Sequence, residues 1–250
     1  MGKLDNKVAL VTGGNSGIGF ATAKLFAEEG AQVIIMARRE KNNAEAVKEI
    51  GHGAIAIQGD VTKYEDCKRA MDEVIAKFGR IDILVNNAGQ ADFNRSAKNV
   101  TNEFWDEQMA VNATSVFYMS REAIKYMEPA GKGSIVNVSS IGGVYHCAGV
   151  AYSAAKAAVI AITHNMAIQY TNTGIRVNAV CPGATKTPLF SPDFADLQDK
   201  EFARITAKVV RMGLEPCEAI DQAKAILFFA SDDSSAITGQ YLVVDKGMCL

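Results

Sequence analysis

Short runs of consecutive apolar and β-branched residues alternate along the chain with longer stretches in which apolar positions recur every three or four residues. Continuous runs suit strands buried on both faces, and the longer period suits amphipathic helices. Strands are predicted at residues 7–12 (KVALVT), 32–37 (QVIIMA), 54–59 (AIAIQG), 81–85 (IDILV), 134–138 (SIVNV), 176–181 (RVNAVC) and 241–244. Helices are predicted over residues 20–29, 64–78, 104–127, 154–168 and 219–230. The alternation of the two predicts an α/β protein. Residues 189–212 break the rhythm. There Phe202, Ile205, Val209 and Met212 form one helical stripe, and Lys200, Arg204, Lys208 and Arg211 another. The expectation is an apolar face laid over a pocket and a basic face turned to solvent. A sharper reading has Phe190, Phe194 and the apolar stripe receive a lipophilic substrate, with one cation meeting a carboxylate.

Composition narrows the picture. A chain of 250 residues with 48% hydrophobic content fits one large domain, residues 1–250, with a substrate lid at about 188–212. A net charge of -2 argues against general affinity for nucleic acid or acidic membranes, which leaves small molecules or protein as partners. Cys67, Cys147, Cys181, Cys217 and Cys249 are odd in number, widely spaced and free of CxxC spacing, so neither a disulfide framework nor a metal site is expected. With no signal-like opening and no apolar run of membrane-spanning length, the expected location is cytoplasmic.

The candidate chemistry begins at the first strand, which runs into Gly13, Gly14, Asn15, Ser16, Gly17, Ile18 and Gly19 ahead of a helix. Strand, glycine turn and helix together form a dinucleotide site, where backbone N–H groups and the helix dipole meet a pyrophosphate. The second strand ends in Arg38 and Arg39 with no acid before Glu40. Guanidinium groups suit a 2′-phosphate, whereas an acidic group there suits a free ribose, so NADP(H) is expected over NAD(H). Asp60, followed by Val61, ends the third strand; its carboxylate either accepts from an adenine amino group or caps the next helix. Asn86, Asn87, Ala88 and Gly89 form the turn after the fourth strand. Tyr152 and Lys156 are four apart on a predicted helix and share a face. A phenol with a pKa of about 10 must fall about three units to exchange protons near neutrality. A fixed cation supplies a shift of that sign.

Taken together, TGGNSGIG at residues 12–19, DVT at 60–62, NNAG at 86–89, Asn112, SIVNVSS at 134–140, YSAAK at 152–156 and Pro182 with Gly183 resemble the short-chain dehydrogenase/reductase family from end to end. The resemblance implies a Rossmann-type, doubly wound, seven-stranded parallel sheet in three layers, a nicotinamide cofactor, and an oxidoreductase acting on CH–OH and C=O groups. It also implies a homotetramer or homodimer, built on the helices carrying Asn112 and Tyr152. By the same resemblance Tyr152 is the acid–base group, Lys156 its partner and a ribose ligand, Ser140 the donor to the substrate oxygen, and Asn112 the anchor of a proton-relay water. Pro182 and Gly183 would shape the nicotinamide site, with Thr185 and Thr187 holding the carboxamide. Spacing from Tyr152 would select Ser139 instead of Ser140, because the intervening loop is one residue shorter than is usual in the family. Assigning the deletion to residues 141–150 favours Ser140. The aromatic lid suits a hydroxysteroid or bile-acid ketone. The alternatives are a 3-oxoacyl thioester reductase, against which Gly131, Lys132, Gly133, Thr173 and Gly174 lack the expected basic residues, and a non-catalytic NADP(H)-sensing regulator.

Overall fold

The computed structural model describes residues 2–190, 198–211 and 213–250, apart from the Phe190 side chain. Phe194, Met212 and that side chain therefore lie outside the described residues. Seven strands form one sheet: β1 (Val8–Thr12), β2 (Gln32–Ala37), β3 (Ile55–Gln58), β4 (Ile83–Asn86), β5 (Gly133–Val138), β6 (Ile175–Pro182) and β7 (Tyr241–Val244). Every pairing is parallel, in the order β3-β2-β1-β4-β5-β6-β7. Period-two alternation sends Leu10, Ile34, Met36, Leu84, Ile135 and Val177 to one face. Ala9, Val11, Val33, Ile35, Val85 and Val136 point to the other.

Helices cover both faces, which is why the strands read as unbroken apolar runs. The first face is covered by α3 (Tyr64–Phe78), by α5 (Ser115–Ala130), which continues from α4 (Asn102–Met109), and by α7 (Val150–Gln169). The second is covered by α1 (Gly17–Glu28), α2 (Glu40–Ile50) and α9 (Ala219–Ala230). A short α6 (Ile141–Tyr145) and α8 (Lys200–Thr206) lie outside these layers. Strand order reverses at β1, which pairs with β2 on one side and β4 on the other. A crevice opens beyond the strand ends at such a reversal, and ligands bind there in this architecture.

α2 is not among the predicted helices, several bounds shift by a few residues, and two departures involve buried polar side chains. The helix expected over 104–127 is divided by a π turn, Ala110–Thr114, around the fully buried Asn112. Single π turns mark places where a side chain diverts the helical hydrogen bonds. The fourth strand starts at Ile83, and Asp82 just ahead of it ties to both neighbours, its N–H donating to Val8 O at 3.0 Å, its C=O accepting the Ser134 N–H at 2.9 Å and its carboxylate accepting the Val8 N–H at 2.9 Å. Among the described residues no helix is long and apolar enough to cross a membrane.

Phe26 on α1 is fully buried in the same cluster as Ile226 and Leu227 of α9. Phe26→Ala is expected to lower unfolding free energy by about 3–5 kcal/mol, read from the urea midpoint at unchanged slope.

Candidate active site

The crevice is a cavity of about 670 Å³ that runs from Arg38 and Arg39, past the glycine turn, to Tyr152 and Met248. Its first half is built from strand ends. The Thr12 hydroxyl accepts N–H bonds from Asn87 and Ala88 at 3.0 and 3.1 Å, and the Asn87 amide donates to Thr12 O at 2.9 Å. These bonds brace the β1 turn against the β4 turn. Gly13 adopts φ +64°, in the left-handed region that favours glycine. At Gly19 a Cβ would lie 2.4 Å from Gly13 O, so only glycine lets α1 start this close to the turn. Ser16 makes no side-chain cap and the first turn of α1 holds no acid, which leaves its N–H groups and positive dipole end to the cavity. Asn15, Ser16, Gly17 and Ile18 line that stretch, and Gly19 acts from behind it by close packing.

Arg38 and Arg39 are exposed, line the cavity and form no ion pair among the described residues. Buried Asn43 fixes the strand end beside them, donating to Ala37 O at 2.9 Å and accepting from the Asn15 amide at 2.7 Å. Asp60 and Val61 also line the cavity. One Asp60 oxygen accepts from the Thr62 N–H and hydroxyl at 3.0 and 2.8 Å, a turn that ends short of capping α3.

Asn86 corrects an expectation. It sits inside β4, is buried, and donates to the Ser120 hydroxyl at 2.9 Å and the Asn137 carbonyl at 2.8 Å. Strand alternation points it into the protein, and Ala88 and Gly89 line the cavity instead, together with Asn87.

The second half brings Ser140, Tyr152 and Lys156 together. Ser140 and Tyr152 line the cavity side by side, since a Cβ on Gly142 would lie 3.4 Å from both Ser140 Oγ and Tyr152 Cδ1, and Ser140 Oγ accepts the Gly142 N–H at 3.0 Å as the cap of α6. Ser139 is turned inward and donates to Lys156 O at 2.7 Å. The serine beside the phenol is therefore Ser140. A Cβ on Gly143 would lie 2.6 Å from the Lys156 carbonyl carbon, so glycine lets the shortened loop rest on α7. The Lys156 ammonium donates to Val138 O at 2.9 Å and lies 5.6 Å from the Tyr152 ring centroid.

Both groups are pushed toward neutrality. Burial raises the phenol to about 12, opposed by Ser140 and reinforced by the charge of Asp92. Burial lowers the ammonium to about 8. The fall in phenol pKa expected from the sequence is reversed here, with desolvation the largest cause.

Asn112 does not line the cavity. Its carbonyl accepts the Gln90 N–H at 3.0 Å, and its amide donates to Gln90 O at 3.0 Å and Gln108 Oε1 at 2.9 Å. A Cβ on Gly89 would lie 2.9 Å from Asn112 Oδ1 and 3.4 Å from Lys156 Nζ, so all three meet at one point.

Asp92 is a site residue that sequence reasoning missed. Its buried carboxylate accepts the backbone N–H of Tyr152 at 3.1 Å and of Asn94 at 3.0 Å, and that of Gly149. It thereby caps α7, whose N-cap residue is a glycine with no side chain to offer. Burial raises the Asp92 carboxyl, and these N–H bonds oppose the rise.

Pro182 ends β6, and Gly183, Thr185 and Thr187 follow it along the cavity. Gly183 lies against Asp245, where a Cβ would come within 2.5 Å of the Asp245 Cβ. The Thr185 hydroxyl donates to Gly183 O at 2.9 Å. Thr187 reaches Gly17 and joins this segment to the glycine turn.

Residues 198–211 also depart from the pattern. Ile205 and Val209 are 53% and 63% exposed, and Ala203, Thr206 and Val210 face the cavity instead. Ile205 and Val209 of the expected apolar stripe therefore point to solvent, while Phe202 is half-buried. Lys200, Arg204, Lys208 and Arg211 are exposed as expected, and none lines the cavity. The reason is the anchor: Asp199 caps α8 through the Glu201 and Phe202 N–H groups, and accepts from the Ser96 hydroxyl at 2.6 Å and the Asn99 amide at 2.9 Å. Those bonds fix the rotation of the helix and hold the Asp199 carboxyl well below its usual range. Among the described residues no cluster of three or more His, Cys, Asp and Glu side chains is arranged to hold a metal.

Residues 13–249 match a family model described as enoyl-(acyl carrier protein) reductase. The chain is 41% identical over 244 residues to cis-4-hydroxycyclohexanecarboxylate dehydrogenase of Sinomonas cyclohexanicum, covering 96% of each chain. It is 34% identical to 3beta-hydroxysteroid dehydrogenase of Mediterraneibacter gnavus, covering 99% of this chain and 96% of that one. The crystal structure of 3-ketoacyl-(acyl-carrier-protein) reductase from Brucella melitensis complexed with NADH superimposes with a TM-score of 0.88 at 35% identity, covering 99% of this chain and 100% of that one. With the doubly wound sheet and the Ser140, Tyr152 and Lys156 cluster, these matches establish that the chain belongs to the short-chain dehydrogenase/reductase family, whose members use a nicotinamide cofactor to act on hydroxyl and keto groups.

Proposed function

We propose that the protein is an NADP(H)-dependent oxidoreductase that interconverts a ketone and a secondary alcohol on a lipophilic ring substrate of the hydroxysteroid kind. The observation that carries this reading is the placement of Ser140, Tyr152 and Lys156 together on a cavity that continues to the glycine turn. Two relatives named above act on hydroxylated carbocycles. Apart from Lys156 and the arginine pair, no cation among the described residues lines the cavity, which favours an uncharged substrate end. Residues 1–250 act as one cofactor-binding and catalytic unit, with 188–212 as the lid. The exposed Trp105 and Phe117 on α4 and α5, and Ile168 on α7, support assembly as a homotetramer or homodimer through those helices.

The cradle fits a dinucleotide, since the turn lacks side chains where a Cβ at Gly13 or Gly19 would collide with backbone or with Asn87. Bound there, a nicotinamide supplies or accepts the hydride at the carbinol carbon. Tyr152 gives its proton to the ketone oxygen, and Ser140 donates a hydrogen bond to the same oxygen. Lys156, charged below about 8, stabilises the phenolate left behind and binds a ribose hydroxyl. Asn112 holds the Gln90 turn beside Lys156, and its π turn diverts backbone carbonyls from the regular ladder, which suits the anchoring of a relay water. Asp92 sets the position of Tyr152 through the backbone.

A panel of cyclic ketones, steroid ketones and an acetoacetyl thioester tests the substrate class by NADPH oxidation. The cyclic ketones are expected to turn over fastest; a preference for the thioester would favour the acyl reading. Tyr152→Phe is expected to lose about 10²–10⁴-fold in turnover while NADPH binding, followed by fluorescence, is retained. Retained binding without turnover on any carbonyl by the unmodified protein would favour the regulator reading.

Arg38 and Arg39 are the proposed 2′-phosphate ligands. Replacing both with alanine is expected to weaken NADPH by about ten- to hundredfold, since a charged hydrogen bond contributes about 1.5–3 kcal/mol, and to leave NADH unchanged. Equal losses for the two cofactors would remove the assignment.

The two directions are expected to respond oppositely to pH. Ketone reduction needs the phenol protonated and Lys156 charged, so it holds near neutrality and declines as pH rises through about 8. Alcohol oxidation needs the phenolate and gains with rising pH. Steady-state profiles of one ketone and its alcohol check this; reduction that stays flat well above pH 8 would refute it.

A further inference from the structure

The substrate half of the cavity holds two side-chain amides that the carbonyl chemistry does not use. Asn94, on the segment after β4, and Gln198, just ahead of α8, both line the cavity. The Asn94 amide donates to Gln198 Oε1 at 3.2 Å. Each amide offers one carbonyl and one NH2 group, so a single bond between them leaves the pair one carbonyl and one NH2 for a ligand. That count holds whichever amide is the donor. Neither of the two remaining groups bonds to a protein partner among the described residues.

The pair is not needed to fasten the lid. Asp199 already does so, through the Ser96 hydroxyl at 2.6 Å, the Asn99 amide at 2.9 Å and its own N–H to Phe93 O at 3.3 Å. Asn94 is instead fixed relative to the reacting groups. One oxygen of Asp92 accepts the Asn94 N–H at 3.0 Å and the other accepts the Tyr152 N–H at 3.1 Å, so one carboxylate places both. Asn94 adopts φ +51°, a left-handed conformation that asparagine tolerates better than most residues and that fixed surroundings maintain. Around the pair the wall is apolar or already engaged. Leu189, Ala203, Val210 and Met248 are apolar, the Thr206 hydroxyl donates to Ala203 O at 3.1 Å, and both Asp92 oxygens are taken. A spare acceptor beside a spare donor in such a wall matches a hydroxyl, which gives one proton and receives another.

We propose that Asn94 and Gln198 form a subsite for a second, uncharged hydroxyl of the substrate, borne on the ring system away from the carbon that exchanges hydride. The subsite rests on the ketone–alcohol reading and deepens it, since it selects rings oxygenated at two places. The spare carbonyl accepts the hydroxyl proton, and the spare NH2 donates to the hydroxyl oxygen. A carboxylate in the same place would meet that carbonyl, with the charge of Asp92 held against Asn94.

The test compares three steroid ketones: dihydrotestosterone, with a hydroxyl at the far end of the ring system, androstanone, the same ketone without it, and the matching ketone with a carboxylate there. In the unmodified protein kcat/KM is expected to be about tenfold higher for the hydroxylated ketone than for androstanone, with the difference in KM, because a contact far from the reacting carbon is made equally in ground and transition states. Gln198→Met, near in size and without an amide, is expected to bring the two within about twofold by raising KM for the hydroxylated ketone. Asn94→Gly, which permits the left-handed backbone, is expected to do the same. Equal kcat/KM for the two in the unmodified protein would overturn the subsite, as would a loss shared equally by both ketones in both variants. Preference for the carboxylate would overturn the uncharged class. Calorimetric binding of the same three ligands to the cofactor-free chain needs no turnover. A hydroxyl preference there without reduction by NADPH fails the ketone reading and leaves the subsite standing, whereas reduction without that preference fails the subsite alone.

Discussion

The fold holds the ammonium of Lys156 inside the protein with a backbone carbonyl, Val138 O, as its acceptor and no carboxylate ion pair among the described residues. An uncompensated buried cation is costly, and the group answers by titrating near 8, below its ordinary value. Much of the local structure follows from keeping it there. The end of β5 supplies the acceptor, Ser139 pins the Lys156 carbonyl, and glycine at position 143 lets α6 seal against the same turn of α7. A carboxylate beside the ammonium would hold it charged. It would also neutralise the field that a nascent phenolate at Tyr152 requires.

Asp92 is the nearest acid to this arrangement that the structure connects to Tyr152, and its geometry keeps it apart from Lys156. Its oxygens are occupied by the backbone N–H groups of Gly149, Tyr152 and Asn94. The carboxylate thus faces the helix terminus, where a negative charge is favourable, and leaves the proton-carrying face of α7 to Ser140 and Lys156. Its residual influence raises the phenol further, so in this structure Tyr152 is a protonated acid rather than a ready base.

How far the sequence revealed these relations depends on whether local pattern or long-range contact decides each one. β2, α3, α9 and β7 match the predicted bounds; for β2 the reason is that both faces of the sheet are covered there, so residues 33–36 are all buried and apolar. Gly13 and Gly19 were legible because a backbone conformation and a close approach leave no other residue type. Asn86 was misread because adjacent asparagines look alike until strand alternation assigns one to the core and the other to the turn. The lid stripe failed for a different reason. Asp199, bonded to Ser96 and Asn99, sets the rotation of α8, and helical period alone does not encode that rotation. Asp92 left no local mark, since it joins segments distant in sequence.

The two halves of the cavity therefore rest on different physics. The dinucleotide half is made from strand ends and backbone, with Thr12, Asn87 and Asn43 acting as braces, so its shape is fixed by the same hydrogen bonds that fix the sheet. The substrate half is made from side chains on connecting segments: Asp92 and Asn94 after β4, Cys147 and Ala148 before α7, Ala203 and Thr206 on α8, and Met248 near the C-terminus. These segments are joined by a few specific bonds, such as Asn94 to Gln198 at 3.2 Å and Arg211 to Met248, rather than by a continuous core. Substitutions on connecting segments are easier to accommodate than those in a sheet packed on both faces. It follows that chains sharing this fold and its Ser140, Tyr152 and Lys156 arrangement can differ in the ring or acyl group they accept while keeping one way of moving a hydride and a proton.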